Sequence, residues 1–229
     1  LPSRIEDQVV FFEQHPDIGI VGAGIQLFHN NCVIRDYLYA SDHEMIKEQL
    51  FRFSNPLPHS TLMFRRQVIE QLGGYCNSFA RSQDYDLLLR ALDVTRLASL
   101  QKVLVRWRFD PASLSFGSSK QLVYGIAALV RALHQLRGHS DVLQEEVWAR
   151  LLKTIESFIG RYRLDKKMGA SKYRMLAFAA FSERRWIDAG CYAVQFFLHN
   201  PLFFFNTRVR INAFIVRHVD ELFPCNYLC

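Results

Sequence analysis

No apolar run in the chain approaches the roughly 18 uninterrupted residues that cross a bilayer, and Leu1-Pro2-Ser3-Arg4 does not open a signal peptide. A cytoplasmic protein is therefore expected. The five cysteines, at 32, 76, 191, 225 and 229, are odd in number and lack the paired spacing of a zinc site. Nor are they dense enough for a disulfide scaffold, so reduced thiols are the default. The run GIVGAG has neither the G-x-G-x-x-G nor the P-loop spacing, which excludes a glycine phosphate cradle there. Low-complexity segments are absent. The basic residues are dispersed and accompanied by no nucleic-acid motif, so no nucleic-acid partner is expected.

What is present is ample apolar material: 229 residues, 50% hydrophobic and 14% aromatic, enough for a sizeable core and an appendage. LPSRIEDQVVFFEQHP reads as a helix with Pro2 near its start and Ile5, Val9 and Phe12 on one face. Asp17 to Phe28 reads as a buried strand, its glycines at 19, 22 and 24 marking close backbone neighbours. After a turn at His29-Asn30-Asn31, a returning strand is expected over Val33–Tyr39. A short helix follows over Asp42–Phe51, capped by Ser41 or Asp42, with Met45, Ile46 and Leu50 inward.

The most informative stretch is Asn55 to Arg90, NPLPHSTLMFRRQVIEQLGGYCNSFARSQDYDLLLR. Thr61 to Phe64 is a short apolar run entered through two prolines, which suits a buried strand with His59 and Ser60 at its mouth. Gln67 to Leu72 has helical spacing, and Gly73-Gly74 can take the left-handed geometry that ends helices. A second helix is predicted from Ser82 as N-cap, with Tyr85, Leu88, Leu89 and Leu92 on one face. Asp84 and Asp86 fall in its first turn. Both complement the helix dipole, a contribution of about 0.3–1 kcal/mol each, and Asp84 also borders a polar loop able to admit a substrate. Arg65 and Arg66 read as solvated or salt-bridged.

PHSTLMFRR, LGGY and QDYDLLLR, in this order and spacing, resemble "PHSSVMFRR", "GGYDE" and "EDYDLWLR" of family 2 glycosyltransferases. LPSRIEDQVVFFEQHPDIGIVG is likewise similar to "LPERLEKQVEFLEAHPDVGLVG" of that family. The resemblance covers about Leu1 to Ser115. It implies the second half of an A-type nucleotide-sugar fold, an incomplete α/β unit with a mixed sheet and flanking helices.

The activity it implies is inverting transfer of a sugar from a nucleotide diphosphate sugar to a hydroxyl of a saccharide or lipid-linked acceptor. It places the catalytic base on Asp84. It places substrate contacts on His59, Ser60, Gly73, Gly74, Tyr75, Gln83, Asp86 and Arg108, with His59 alternatively satisfying backbone groups at the strand entrance. Gln83 stands where the family has Glu, and Cys76 where it often has Asp. DPASLS after Arg108 stands for "HPGSVS", so Asp110 replaces a His that lies near donor phosphates and metal in several members. Asp110 is thus a candidate ligand for the Mg or Mn expected in the complete enzyme, or equally a turn starter before Pro111. No Asp-x-Asp, the family's metal motif, precedes the first helix. An alternative reading follows from that: a catalytically silent fragment that binds or regulates through its basic tail. The strands near Ile18–Gly24 and Thr61–Phe64 are expected to share one sheet.

From Ser118 the texture becomes helical, with helices expected over Lys120–Gly138, Asp141–Tyr162, Ser171–Phe181, Arg185–His199 and Leu202–Leu222. Two regions are therefore drawn, 1–117 and 118–229. Residues 1–117 carry 12 Lys+Arg against 13 Asp+Glu, net −1, and the remaining 16 against 9 give +7. Such a tail suits an anionic surface, either membrane headgroups at the inner face or a lipid-linked substrate. Residues 171–199 resemble a single tetratricopeptide-like hairpin. Phe203, Phe204, Phe205, Ile211, Phe214 and Ile215 among Arg208, Arg210 and Arg217 can lie in a bilayer interface or pack as core.

Overall fold

The fold is organised by β1 (Ile18–His29), whose side chains are buried on both faces: Ile20, Val21, Ala23, Ile25 and Leu27 are all at most 1% exposed. In the computed structural model, residues 1–30, 32–110, 119–138, 143–162 and 186–199, with 177, 180 and 184, are described. A strand apolar on both faces must lie inside a sheet covered from both sides, and β1 does. β4 (Arg96–Arg108) runs parallel to it along one edge. β2 (Cys32–Tyr37) and the two-residue β3 (Met63–Phe64) pair antiparallel with it at its later and earlier ends. The result is a mixed open sheet with flanking helices, the α/β class expected. The expected strand at Thr61–Phe64 is shorter than its apolar run, because His59–Thr61 coils into a 3₁₀ turn before it.

Gly22 is needed where that turn crosses the sheet. A Cβ there would stand 2.7 Å from Leu57 Cδ2 and 3.3 Å from Thr61 Oγ1, so any side chain would push the Leu57–Thr61 segment away.

Helix α1 (Arg4–Gln14) turns a different face inward from the one its apolar spacing marks. Phe12 is buried, but Ile5 and Val9 are 60% and 42% exposed. The polar Gln8 is fully buried instead, its amide donating to the Val21 carbonyl at 3.3 Å and the Thr61 carbonyl at 2.8 Å. Gln8 thus supplies an extra donor to the sheet carbonyls under the helix, which an apolar side chain in that place would not. Arg65, expected to be solvated or salt-bridged, is structural in another way. It stacks on Phe12 and donates to the carbonyls of Ile18 (2.8 Å), Phe12 (2.6 Å) and His15 (3.2 Å), closing the end of α1 onto the sheet.

In α2 (His43–Phe51), Asp42 is the cap, accepting from the Met45 N–H at 3.0 Å. Ile46 and Leu50 face inward as expected, whereas Met45 is half exposed and His43 takes the inner position. There His43 Nδ1 accepts the Leu97 N–H of β4 at 3.1 Å. Helix α3 (Arg66–Leu72) closes on Gly73 in the left-handed region, φ 68°.

Helix α4 (Gln83–Ala91) starts after Ser82, but Ser82 does not cap it. Its backbone is itself left-handed, φ 56°, and its hydroxyl serves α5 (Ser119–Leu136). Ser82 Oγ donates to the Gln121 carbonyl at 3.1 Å and accepts from Gln121 Nε2 at 2.9 Å.

Helices α5 and α6 (Glu145–Tyr162) continue the core of the sheet domain, Leu122, Ile126, Leu129, Leu151 and Ile155 joining one cluster with Leu50, Leu57 and Leu88. Phe79 and Trp148 stack there, with ring centroids 4.9 Å apart. Further on, α7 (Trp186–His199) is the second arm of the expected hairpin. Apart from Ala177 and Ala180, its first arm over 171–181 lies outside the described residues, as do the helix over 202–222 and its aromatic-basic set. Among the described residues, no helix is long and apolar enough to cross a membrane.

Asp86 faces inward. Its side chain is 2% exposed and accepts from Arg131 Nη1 of α5 at 2.7 Å and from Arg90 Nε at 2.9 Å. A surface role at the helix dipole is thereby corrected: the carboxylate joins α4 to α5, with both oxygens engaged before any substrate arrives.

Two tests follow from this packing. Asp86→Ala removes the buried carboxylate that Arg90 and Arg131 share and should destabilise the fold by about 3–5 kcal/mol, read by chemical denaturation. Loss below 1 kcal/mol would contradict the buried pairing. The second test concerns pH. Burial holds the His43 imidazole below its ordinary value of 6.5, with the nearby Arg96 and Lys47 adding to the effect and Glu44 and Asp42 opposing it. The unfolded chain then takes up a proton that the folded chain resists, so stability is full above about pH 6.5 and is lost as pH falls below it. The denaturation midpoint should drop between pH 7.5 and 5.5. In His43→Asn, which retains an acceptor for Leu97 but cannot titrate, the drop should be smaller; an equal drop would assign it to other groups.

Candidate functional site

The loop from Asn55 to Pro58 forms the floor of the site. Pro56 and Leu57 are buried, Leu57 against Gly22, which anchors the loop to the sheet. Asn55 Oδ1 accepts the Leu57 N–H at 3.0 Å, a local side-chain turn that fixes the amide's orientation. Its other end is then aimed at α4, where Nδ2 donates to Asp84 Oδ2 at 3.0 Å. Thr61 Oγ1 donates to the Pro58 carbonyl at 2.8 Å and so tightens the 3₁₀ turn that carries His59 and Ser60 into solvent.

The opposite wall comes from the turn after α3. Gly73 and Gly74, φ 68° and 72°, reverse the chain and present Tyr75. His59 Nε2 and the Tyr75 hydroxyl lie 2.8 Å apart, with the rings edge to face at 5.8 Å between centroids. Partial burial, and then the negative charge of Asp84, hold the Tyr75 hydroxyl above its ordinary value of 10.0. Asp84 is thus within electrostatic reach of Tyr75, and Asn55, His59, Tyr75 and Asp84 form one polar cluster. Asp84 is half-buried in the first turn of α4, with Oδ2 on Asn55 Nδ2.

Around this cluster, Ser60 is exposed beside His59 and Gln83 is half-buried beside Asp84. Gly73 and Gly74 contribute backbone alone. Asp86 points away into the core, as described. Arg108 and Asp110 are exposed but lie elsewhere: Arg108 pairs with Phe28, and Leu57 rests on Gly22, six residues earlier in β1. At about 3.3 Å per residue the two places are roughly 20 Å apart along the strand.

Among the described residues, no group of three His, Cys, Asp or Glu side chains is placed to hold a metal ion. Asp110 by itself is a single ligand, so the residues described do not make a cation site.

Sequence reasoning missed two residues that build the cluster. Asn55 carries a readable signal, since Asn before Pro at the head of a loop favours a side-chain turn. Arg90 carries another: it stands at i+4 from Asp86, the spacing of a helical ion pair. Its guanidinium also donates to the Leu72 carbonyl at 2.7 Å and the Gly74 carbonyl at 2.8 Å, joining the turn that bears Tyr75 to the helix that bears Asp84.

No family model matches the chain. It is 37% identical over 116 residues to the O-antigen biosynthesis glycosyltransferase WbnJ of Escherichia coli, a match covering 49% of this chain and 44% of that protein. The amylovoran biosynthesis glycosyltransferase AmsE of Erwinia amylovora is 30% identical over 110 residues, 47% of this chain and 40% of its own length. An uncharacterized glycosyltransferase of Haemophilus influenzae is 27% identical over 119 residues, 50% and 43% of the two lengths. The chain spans less than half the length of these curated relatives, and what it is similar to, over about half of itself, is in each case a glycosyltransferase.

Proposed function

We propose that the chain carries the acceptor side of a family 2 glycosyltransferase, and that the complete protein moves a sugar from a nucleotide diphosphate sugar to a saccharide or lipid-linked acceptor hydroxyl with inversion. The observation that supports this most is the placement of Asp84: a half-buried carboxylate in the first turn of α4, oriented by Asn55 through one oxygen and within electrostatic reach of Tyr75, whose hydroxyl bonds His59. The similarity to biosynthetic glycosyltransferases of O-antigen and amylovoran supports the reaction class.

In this reading the acceptor hydroxyl donates to Asp84 Oδ1. As its oxygen attacks the anomeric carbon, the proton passes to the carboxylate, and the electron pair of the breaking carbon–oxygen bond leaves with the diphosphate from the opposite face. Asn55 keeps Oδ2 engaged, so the carboxylate cannot swing away from the attacking oxygen. His59 and Tyr75, each able to donate or accept, would hold neighbouring hydroxyls of the acceptor ring. A Mg or Mn ion on the diphosphate belongs to the proposal for the complete enzyme, and Asp110, about 20 Å along β1 from the cluster, does not fit as its ligand. No step above passes through the ion.

The test is release of nucleoside diphosphate from UDP-, GDP- and dTDP-sugars by the complete protein, with soluble and lipid-linked saccharides as acceptors. Asp84→Asn keeps the side chain's size and should lower turnover by about 10²–10⁴-fold while the melting temperature stays near that of the wild type. Turnover within threefold of the wild type would remove Asp84 from the chemistry.

A further inference from the structure

We propose that Arg90 is a positioning residue for the acceptor side of this site: it fixes the Gly73-Gly74-Tyr75 turn against α4, backed by Arg131 through Asp86. The inference rests on the glycosyltransferase reading for its catalytic consequence, but its structural part stands on the contacts alone.

Arg90 is a half-buried residue whose side chain is 15% exposed, and all three of its guanidinium nitrogens are engaged. Nε donates to Asp86 within α4, while Nη1 and Nη2 reach the carbonyls of Leu72 and Gly74. The Leu72 carbonyl is one of those left without an intrahelical partner at the end of α3, and a planar fork is the side chain suited to two diverging carbonyls.

Leu72 and Cys76 pack against the core on either side of the turn. Within it, the N–H groups of Gly73 and Gly74 return to the carbonyls of Glu70 and Ile69, and a Cβ at either glycine would meet nothing within 4 Å. Two consecutive positive-φ glycines in open space leave the backbone many alternatives. The clamp removes them, and with them the alternatives for Tyr75, whose hydroxyl must stay on His59 to complete the wall facing Asp84.

The clamp is also held from behind. Asp86 accepts Arg90 on one oxygen and Arg131 of α5 on the other, so the guanidinium of Arg90 is oriented by a carboxylate that is itself fixed in the core. The route runs from α5 through Asp86 and Arg90 to the Tyr75 turn, on the side of α4 away from the acceptor. It orients the site without touching substrate.

Arg90→Lys separates this role from simple stabilisation. The ammonium keeps a cation beside Asp86, but one nitrogen on a flexible stem cannot serve both carbonyls. The full chain should melt near the wild type, while amide exchange over residues 69–77 rises about 10-fold or more and that of β1 and α2 is unchanged. In the complete protein, kcat/KM for the acceptor should fall about 10- to 100-fold with the donor KM unchanged. Gly74→Ala is the second variant: its methyl meets no neighbour, it leaves Asp86 alone, and it disturbs the turn through φ only. It should give the same acceptor-selective loss.

Unchanged exchange over 69–77 in Arg90→Lys overturns the proposal. So does a loosened turn with acceptor kinetics of the wild type, or exchange that rises evenly through the whole fold. If the wild-type complete protein transfers sugar from none of the UDP-, GDP- or dTDP-sugars, the glycosyltransferase reading fails, and exchange still decides the clamp.

Discussion

A carboxylate buried between two guanidinium groups sets the geometry on which the rest of the site relies. A helix turns about 100° per residue, so Asp84 and Asp86, two positions apart, point to nearly opposite sides of α4. Once Asp86 is committed to Arg131 and Arg90 in the interior, Asp84 has to face the loop that carries Asn55. Unpaired charge is expensive to bury, and that expense suppresses any rotation of α4 that would bring Asp84 inward. The pair at 84 and 86 is one device: the inner carboxylate indexes the helix, and the outer one is presented.

Much of this was legible in the sequence, and the exceptions have a common cause. The glycines of β1, the left-handed Gly73 and the placement of Asp84 at a helix start follow from local rules of backbone freedom and helix ends. Apolar spacing, by contrast, marks a stripe without saying which surface it meets. In α1 the stripe of Ile5 and Val9 points outward, because the backbone beneath presents the carbonyls of Val21 and Thr61, to which Gln8 donates. Arg65 and Ser82 depart from their local expectation for the same reason. Each looks like a surface or capping residue locally, and each is claimed by a distant backbone group. Arg90 and Asn55 left a trace in their spacing and their neighbours, but their targets at 72, 74 and 84 are set by tertiary contact.

Composition and packing also divide the chain differently. The excess of positive charge begins after residue 117, whereas the core runs on through α5 and α6 without a break. Charge records what the surface faces; apolar contact records what folds together. Helices α5 and α6 thus belong to the core of the sheet although they lie past the point where the charge changes.

Ser82 gives the site a dependence on time as well as on space. A non-glycine residue in the left-handed region costs about 1–2 kcal/mol, and at Ser82 the compensating bonds come from Gln121, 39 residues later. Phe53, also left-handed, rests its ring 3.2 Å from where a Cβ of Gly125 would stand, one helical turn beyond Gln121. The backbone on both sides of the polar cluster therefore lacks its counterweight until α5 has been synthesised and docked. A chain still emerging from the ribosome, with everything through Asp84 already exposed, would hold the residues of the cluster before the bonds from Ser82 to Gln121 can form.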